Sequence, residues 1–151
     1  METHHGFVCA NAGIDLSNIG MDRALLLPKD PDRSARRIRD ELQQLTGKAL
    51  SVVITDTFGR PWRLGTTDVA IGVAGFHPLI DYRGRTDPYG YELKASVTAV
   101  ADQIAGAAEL VMGKTSRIPA AVVRGCGLLE YDGSAKELIR PVADDLFRGD
   151  R

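Results

Sequence analysis

The sequence has no apolar run that approaches the length of a membrane-spanning helix, and its N-terminus, METHHGFVCANAG, lacks the layout of a signal peptide. We therefore expect a cytoplasmic protein with no membrane partner. Cysteine is scarce as well, because the chain has only Cys9 and Cys126, both in apolar surroundings and without zinc-type spacing. Two buried free thiols are the favoured interpretation, since a disulfide framework needs more cysteines.

A surplus of positive charge is also missing, because nineteen Lys and Arg residues face twenty Asp and Glu residues. Non-specific binding of nucleic acid needs a basic excess, so nucleic acid is not an expected partner. The chain has neither a Walker-type glycine loop nor a GxGxxG motif, so it does not indicate a standard nucleotide-binding fold. What it does have is 151 residues, 44% of them apolar, enough for one domain with a core.

Two helices are predicted from apolar residues at helical spacing. The first covers 30–47, with Asp30 as its cap, Pro31 at its first position and Gly47 at its end. The second covers 97–113 and is rich in alanine, which allows another element to pack closely. Apolar and β-branched runs predict short strands at 5–10, 23–28, 49–55, 68–75, 91–96, 119–127 and 136–141. The fold class is therefore α+β, with a mixed sheet and two main helices.

The stretch DTFGRPWRLGTTD, residues 56–68, follows a buried-strand pattern and is unusually polar for a plain connection. We interpret it as a loop that carries a site. Two more loops, NAGIDLSN and DYRGRTD, hold the same kinds of side chain. Carboxylate, hydroxyl and amide oxygens suit Mg²⁺ or Mn²⁺, and arginines bind phosphate or carboxylate. This combination indicates phosphoryl transfer.

Each of these residues also has a plainer structural role open to it. Asp15 can make an Asx turn or cap a short helix, and Asp56 can bond nearby backbone amides. Arg83 can pair with Asp87 in a loop salt bridge that adds little stability. Trp62 can belong to the core. The concentration of such residues in three loops, and not any one of them, favours a site.

The chain contains the motifs HGFVCANAGIDLSN, DTFGRPWRLGTTDVAIGVAGFHPLIDYRGRTDPYGYEL and VADQIAGAAELVMGK. These motifs resemble the coenzyme F420-0:gamma-glutamyl ligase family over nearly the whole chain. The resemblance implies a partial ligase domain at 1–145, followed by a C-terminal tail at 146–151. It also implies an acid–amino-acid ligase of the EC 6.3.2 type, which uses GTP to join L-glutamate to coenzyme F420-0 through an acyl phosphate.

The resemblance further implies a cofactor, an assembly and roles for individual residues. The cofactor is Mg²⁺ or Mn²⁺, and the assembly is a homodimer. Asp15 and Asp56 are the implied metal ligands, Thr57 helps to hold a second metal, and Asn18 contacts GTP. The family motif does not assign three arginines of these loops, which we place near the anionic groups: Arg60, Arg63 and Arg83.

The sequence departs from the family in two places. Members carry a further segment ahead of HGFVCANAG that supplies much of the nucleotide site, so we expect a truncated ligase that binds cation weakly and turns over little. Gln103 stands where the family pattern has a glutamate, and the simplest interpretation is that this residue lies on a solvated helix face. Two other functions stay open: a non-catalytic remnant or assembly module of the same family, and a metal-dependent phosphohydrolase that uses the same loops.

Overall fold

The computed structural model describes residues 1–17, 20, 22–145 and 147. Its α-helices are α1 (Pro31–Thr46) and α2 (Val100–Met112), and its strands are β1 (Val52–Arg60), β2 (Arg63–Ala74), β3 (Ile80–Asp81) and β4 (Val97–Thr98). Short 3₁₀-helices lie at Ala10–Gly13, Ala135–Leu138 and Val142–Asp144. The α+β class with two main helices is confirmed. The sheets that the described residues form are antiparallel pairs, β1 with β2 and β3 with β4. Neither α-helix is long and apolar enough to cross a membrane.

Helix α1 begins and ends where its sequence signals predict. The Asp30 carboxylate accepts a hydrogen bond of 2.9 Å from the backbone N–H of Arg33, and Pro31 occupies the first helical position. Gly47 ends the helix with a left-handed φ of 64°, a conformation that glycine adopts without strain. Only the N-terminal part of the predicted apolar face is covered, because Ala35 is buried whereas Leu45 is 82% exposed.

The largest correction to the sequence interpretation concerns residues 56–68, which form a β-hairpin and not a loop. Strand β1 continues through these polar residues, the chain turns at Pro61 and Trp62, and β2 returns antiparallel to β1. The threonines on both strands favour extended backbone, and a hairpin that is not fully covered tolerates polar side chains. Trp62 is 78% exposed at the turn, so it is not part of the core.

The core lies where the C-terminal half of β2 packs against α2. Its buried cluster is small in side-chain volume: Ala70, Val73, Phe76, Val100, Ala101 and Ala135. The alanines of α2 allow the helix to lie close to the sheet, as the sequence predicts. Helix α1 covers another part of β2, and there Gly72 leaves no room for a side chain, because an added Cβ would lie 2.5 Å from the carbonyl oxygen of Pro31.

Several predicted strands do not form within the described residues. The segments 5–10, 23–28 and 91–96 take part only in isolated bridges, and 136–141 overlaps a 3₁₀-helix. The segment 119–127 has no regular structure. A strand needs a partner that offers a row of backbone donors and acceptors, and the described residues provide none for these segments. Both cysteines are free thiols, but neither is buried as expected: Cys9 is half-buried, and Cys126, in 119–127, is exposed.

Candidate functional site

The described residues form a cleft of about 940 Å³ between the β1–β2 hairpin and the C-terminal end of α2 with the segment that follows it. Its walls are rich in groups that bind cations or anions. They include four carboxylates, three threonine hydroxyls and two cationic side chains: Asp15, Asp56, Asp68, Glu109, Thr55, Thr57, Thr115, Lys114 and Arg117. We take this cleft as the candidate functional site.

The hairpin brings together polar residues that lie 11 to 13 positions apart in the sequence. Thr55 and Thr57 are two positions apart, so they share one face of β1. The antiparallel register places Thr57 opposite Asp68 of β2. The Thr57 hydroxyl donates to Asp68 Oδ1 at 2.7 Å, and the Thr55 hydroxyl donates to Asp68 Oδ2 at 3.0 Å. Asp68 itself is buried, with 7% of its surface exposed.

Helix α2 fixes the position of β2 at the cleft through two carboxylates. The backbone N–H of Asp68 donates to Glu109 Oε2 at 2.9 Å, and that of Ala70 donates to Asp102 Oδ1 at 2.9 Å. Asp102 and Glu109 are two helical turns apart and project from one face of α2. The two N–H groups lie on the same edge of β2, so the helix satisfies the edge that faces away from β1.

Asp56 is a cleft carboxylate that is partly buried and close to other negative charges. Its pKa is raised, first by partial burial and then by the negative charges of Asp15 and Asp68. The backbone N–H of Thr57 and the ammonium of Lys114 oppose this effect. The cleft therefore concentrates negative charge that a divalent cation would relieve.

Asp15 has a structural role and also faces the cleft. It accepts hydrogen bonds from the Ser17 backbone N–H at 2.7 Å and from the Ser17 hydroxyl at 3.0 Å. These bonds lower its pKa, and the charge of Lys114 adds to the effect. The Asx-type turn that the sequence left open is thus present, and it orients a carboxylate that lines the cleft.

Three of the four residues for which the resemblance implies a role lie at this cleft, namely Asp15, Asp56 and Thr57. Asn18, expected to contact GTP, lies outside the described residues, so its role stays a prediction. Gln103 is exposed on α2 and does not line the cleft, which agrees with the interpretation of a solvated helix face.

The three arginines expected near anionic groups do not line the cleft. Arg60 donates to the backbone carbonyl of Leu64 in β2 at 2.7 Å, and Arg63 is exposed at the start of β2. Arg83 makes a loop salt bridge of 2.6 Å, with Asp81 and not with Asp87. Their contact with an anion stays a prediction, and the cations on the cleft wall come from another segment of the chain.

Sequence reasoning missed the four other charged residues that line the cleft: Asp68, Glu109, Lys114 and Arg117. Asp68 lies in the polar stretch, at the start of the strand predicted over 68–75. A hairpin interpretation of the same stretch would have placed it opposite Thr57. Lys114 and Arg117 directly follow the end of α2, and no local pattern distinguishes them from ordinary surface cations.

The chemistry of the donor set fits Mg²⁺ or Mn²⁺. Carboxylate and hydroxyl oxygens are hard ligands, and the cleft has both, whereas it is lined by no thiolate or imidazole. The described residues contain no group of three or more His, Cys, Asp or Glu side chains placed to hold a metal ion. Magnesium commonly binds through one or two carboxylates and completes its shell with water and substrate phosphates. Asp15 and Asp56, with Thr57, match that pattern.

Comparison with known proteins gives the family. Residues 1–125 match the model of the F420-0:Gamma-glutamyl ligase family. The coenzyme F420:L-glutamate ligase of Methanothermobacter thermautotrophicus is 52% identical over 98% of this chain and 60% of its own length. The corresponding proteins of Methanocaldococcus jannaschii and Methanococcus maripaludis are 47% and 45% identical, each over 97% of this chain and 59% of its own length. This chain thus spans about 60% of the length of these curated relatives, and it belongs to the F420-0:gamma-glutamyl ligase family.

Proposed function

We propose that this chain provides the cation-binding cleft of a GTP-dependent ligase that joins L-glutamate to coenzyme F420-0 in coenzyme F420 biosynthesis. The observation that supports this most is the convergence of Asp15, Asp56 and Thr57 in one cleft of a chain that belongs to this family. The relatives are named coenzyme F420:L-glutamate ligase. Because the chain spans about 60% of their length, the activity of the whole protein is part of the proposal.

The proposed reaction makes an amide from a carboxylate and an amine, which requires activation of the carboxylate. A carboxylate oxygen of coenzyme F420-0 attacks the γ-phosphorus of GTP and releases GDP, which gives an acyl phosphate. The amine of L-glutamate then attacks the acyl carbon, loses a proton and displaces inorganic phosphate. Such transfers depend mainly on positioning and on neutralising the charge of the phosphate oxygens.

The residues of the cleft suit these two tasks. Asp15, Asp56 and Thr57 would hold Mg²⁺ or Mn²⁺, which supplies charge neutralisation and a fixed orientation for phosphate oxygens when it is bound. Lys114 and Arg117 add positive charge to the cleft wall, where the same phosphates can be bound. Lys114 is near enough to Asp15 and Asp56 to lower the pKa of both carboxyl groups.

A ligation assay tests this function. Manganese, GTP, L-glutamate and coenzyme F420-0 are supplied to this chain and to a version extended to the full length of the relatives. We expect amide formation by the extended protein and little or none by this chain, since loss of positioning alone can slow a reaction about a hundredfold. Comparable rates from the two proteins would show that the residues of this chain suffice.

The same assay separates the other functions left open by the sequence. Release of phosphate without amide formation by the extended protein would identify a phosphohydrolase. Absence of any turnover by the extended protein would identify a non-catalytic or assembly role. Amide formation contradicts both.

We also propose that the chain forms a homodimer. Its accessible surface is 11,419 Å², whereas a compact monomer of 16.3 kDa exposes roughly 7,500 Å². Several large apolar side chains of the described residues are almost fully exposed, among them Leu110 at 87%, Leu129 at 84% and Val122 at 81%. Apolar surface of this extent is typical of an interaction surface.

A further inference from the structure

Asp68 is a buried carboxylate on β2 that accepts hydrogen bonds from two threonine hydroxyls of β1. The Thr57 hydroxyl lies 2.7 Å from Oδ1, and the Thr55 hydroxyl lies 3.0 Å from Oδ2. All three residues line the cleft. The side chain of Asp68 thus contacts Thr57 of β1, for which the family resemblance implies a role as a metal ligand.

The direction of these hydrogen bonds follows from the chemistry of the groups. An ionised carboxylate has no proton and can only accept, so each threonine hydroxyl donates its proton to Asp68. A neutral hydroxyl can coordinate a cation only through an oxygen lone pair, with its proton turned away from the ion. A threonine whose proton is held by Asp68 keeps its lone pairs available to the cleft.

We propose that Asp68 is a positioning residue for the cation site: it holds the hydroxyl proton of Thr57, so that the lone pairs of Thr57 Oγ1 face the cleft. Thr55 is oriented in the same way and reinforces the arrangement. This inference rests on the proposed function, because it assumes that the cleft binds a divalent cation. It adds a residue for which the resemblance implies no role.

The backbone at this position is held independently of the Asp68 side chain. The N–H of Asp68 donates to Glu109 and the N–H of Ala70 donates to Asp102, both at 2.9 Å. A change confined to the Asp68 carboxylate should therefore leave the path of β2 in place. Its effect on cation binding can then be measured apart from its effect on the fold.

Asp68→Asn is the sharpest substitution, because asparagine has the same shape but presents one donor and one acceptor group. One of the two threonines must then accept a hydrogen bond, which uses a lone pair and turns its own proton elsewhere. Changes in groups that orient metal ligands typically reduce metal affinity about 10- to 100-fold. We expect a loss in this range for Mn²⁺ binding, measured by electron paramagnetic resonance on the intact chain.

A double-mutant cycle separates orientation from loss of charge. If Asp68 acts through the hydroxyl, Asp68→Asn should cost much less affinity in a Thr57→Val background, because no hydroxyl remains there to be oriented. In a Thr57→Ser background, which retains a hydroxyl, Asp68→Asn should again cause the larger loss of affinity. Equal losses in the wild-type and Thr57→Val backgrounds would show that only the charge of Asp68 matters, and would overturn the proposal.

Asp32→Asn is the matched control for burial and hydrogen bonding. Asp32 is also a buried carboxylate, and its Oδ1 accepts the N–H groups of Val73 and Ala135 at 2.8 and 2.9 Å, away from the cleft. Its substitution should change the free energy of unfolding without changing manganese affinity. A matching loss of affinity in Asp32→Asn would identify a general structural effect and contradict the proposal.

A second measurement does not require a bound cation. Slow exchange of the Thr57 hydroxyl proton, detected as a deuterium isotope shift on its ¹³Cβ resonance, is expected in the wild-type chain and should be reduced by Asp68→Asn. Fast exchange in the wild type would overturn the orientation itself. Slow exchange in a chain that binds no manganese would support the orientation and would instead contradict the proposed cation site.

Discussion

At the scale of single residues, the carboxylates that the fold covers divide into two groups by what they contact. Asp32, Asp102 and Glu109 accept backbone N–H groups of β2 and hold the helices against the strand. Asp56 and Asp15 line the cleft, as Glu109 also does, but they hold no helix against β2. The charges of Asp15 and Asp68 help to raise the pKa of Asp56, and Lys114 lowers the pKa of both Asp15 and Asp56. The first group stabilises the fold, and the second is suited to bind a cation.

Asp102 provides a test of the first group through pH. Half-burial raises its pKa above 3.8, and the hydrogen bond from Ala70 only partly offsets this. The folded state therefore binds the proton more tightly than the unfolded state, and stability falls as pH rises from 3.8 through the raised pKa. Asp102→Asn keeps an acceptor for Ala70 but cannot ionise. We expect it to be more stable than wild type at pH 7 in urea unfolding, with a difference that disappears as pH falls below about 4.

The control variant for this prediction should change stability at pH 7 in the opposite direction. Arg83 lowers the pKa of Asp81 to about 2 through a hydrogen-bonded ion pair. The ionised Asp81 carboxylate therefore stabilises the folded state above pH 3.8, and this contribution is lost as pH falls toward 2. Asp81→Asn should make the chain slightly less stable at pH 7, by a small amount because the pair is exposed. A less stable Asp102→Asn at pH 7 would show that its hydrogen bond outweighs the cost of burying its charge.

At the scale of elements, the helices were predictable from sequence, because their signals are local. The cap at Asp30, the stop at Gly47 and the alanine-rich face of α2 all lie within the elements that they specify. The sequence does not indicate the β1–β2 hairpin, because its polar residues are typical of a loop. Its assignment depends on pairing between residues of two strands, such as Thr57 and Asp68, which lie 11 positions apart.

The same distinction explains the predicted strands that did not form. Segments 5–10, 23–28 and 119–127 have the composition of strands, but a strand exists only with a partner. The candidate site likewise depends in part on contacts that the sequence does not reveal. Asp15, Asp56 and Thr57 could be chosen from the family motif, whereas the cations beside them, Lys114 and Arg117, became visible only in the folded arrangement.

At the scale of the whole molecule, the accessible surface is roughly 3,900 Å² larger than that of a compact monomer of this mass. A standard protein interface removes only about 800 Å² from each partner. We expect light scattering to show a homodimer or larger assembly at high protein concentration, and a monomer at all concentrations would contradict this prediction.

The most direct test of the proposed cleft is the affinity of the intact chain for Mn²⁺, measured by electron paramagnetic resonance with and without Asp56→Asn. The account predicts measurable binding by wild type, and a loss of more than about tenfold in the variant, since even indirect contacts to a metal cost about that much. Asp81→Asn, which removes an exposed carboxylate outside the cleft, should leave the affinity unchanged. Unchanged affinity in Asp56→Asn, or equal losses in both variants, would contradict the assignment of this cleft as the cation site.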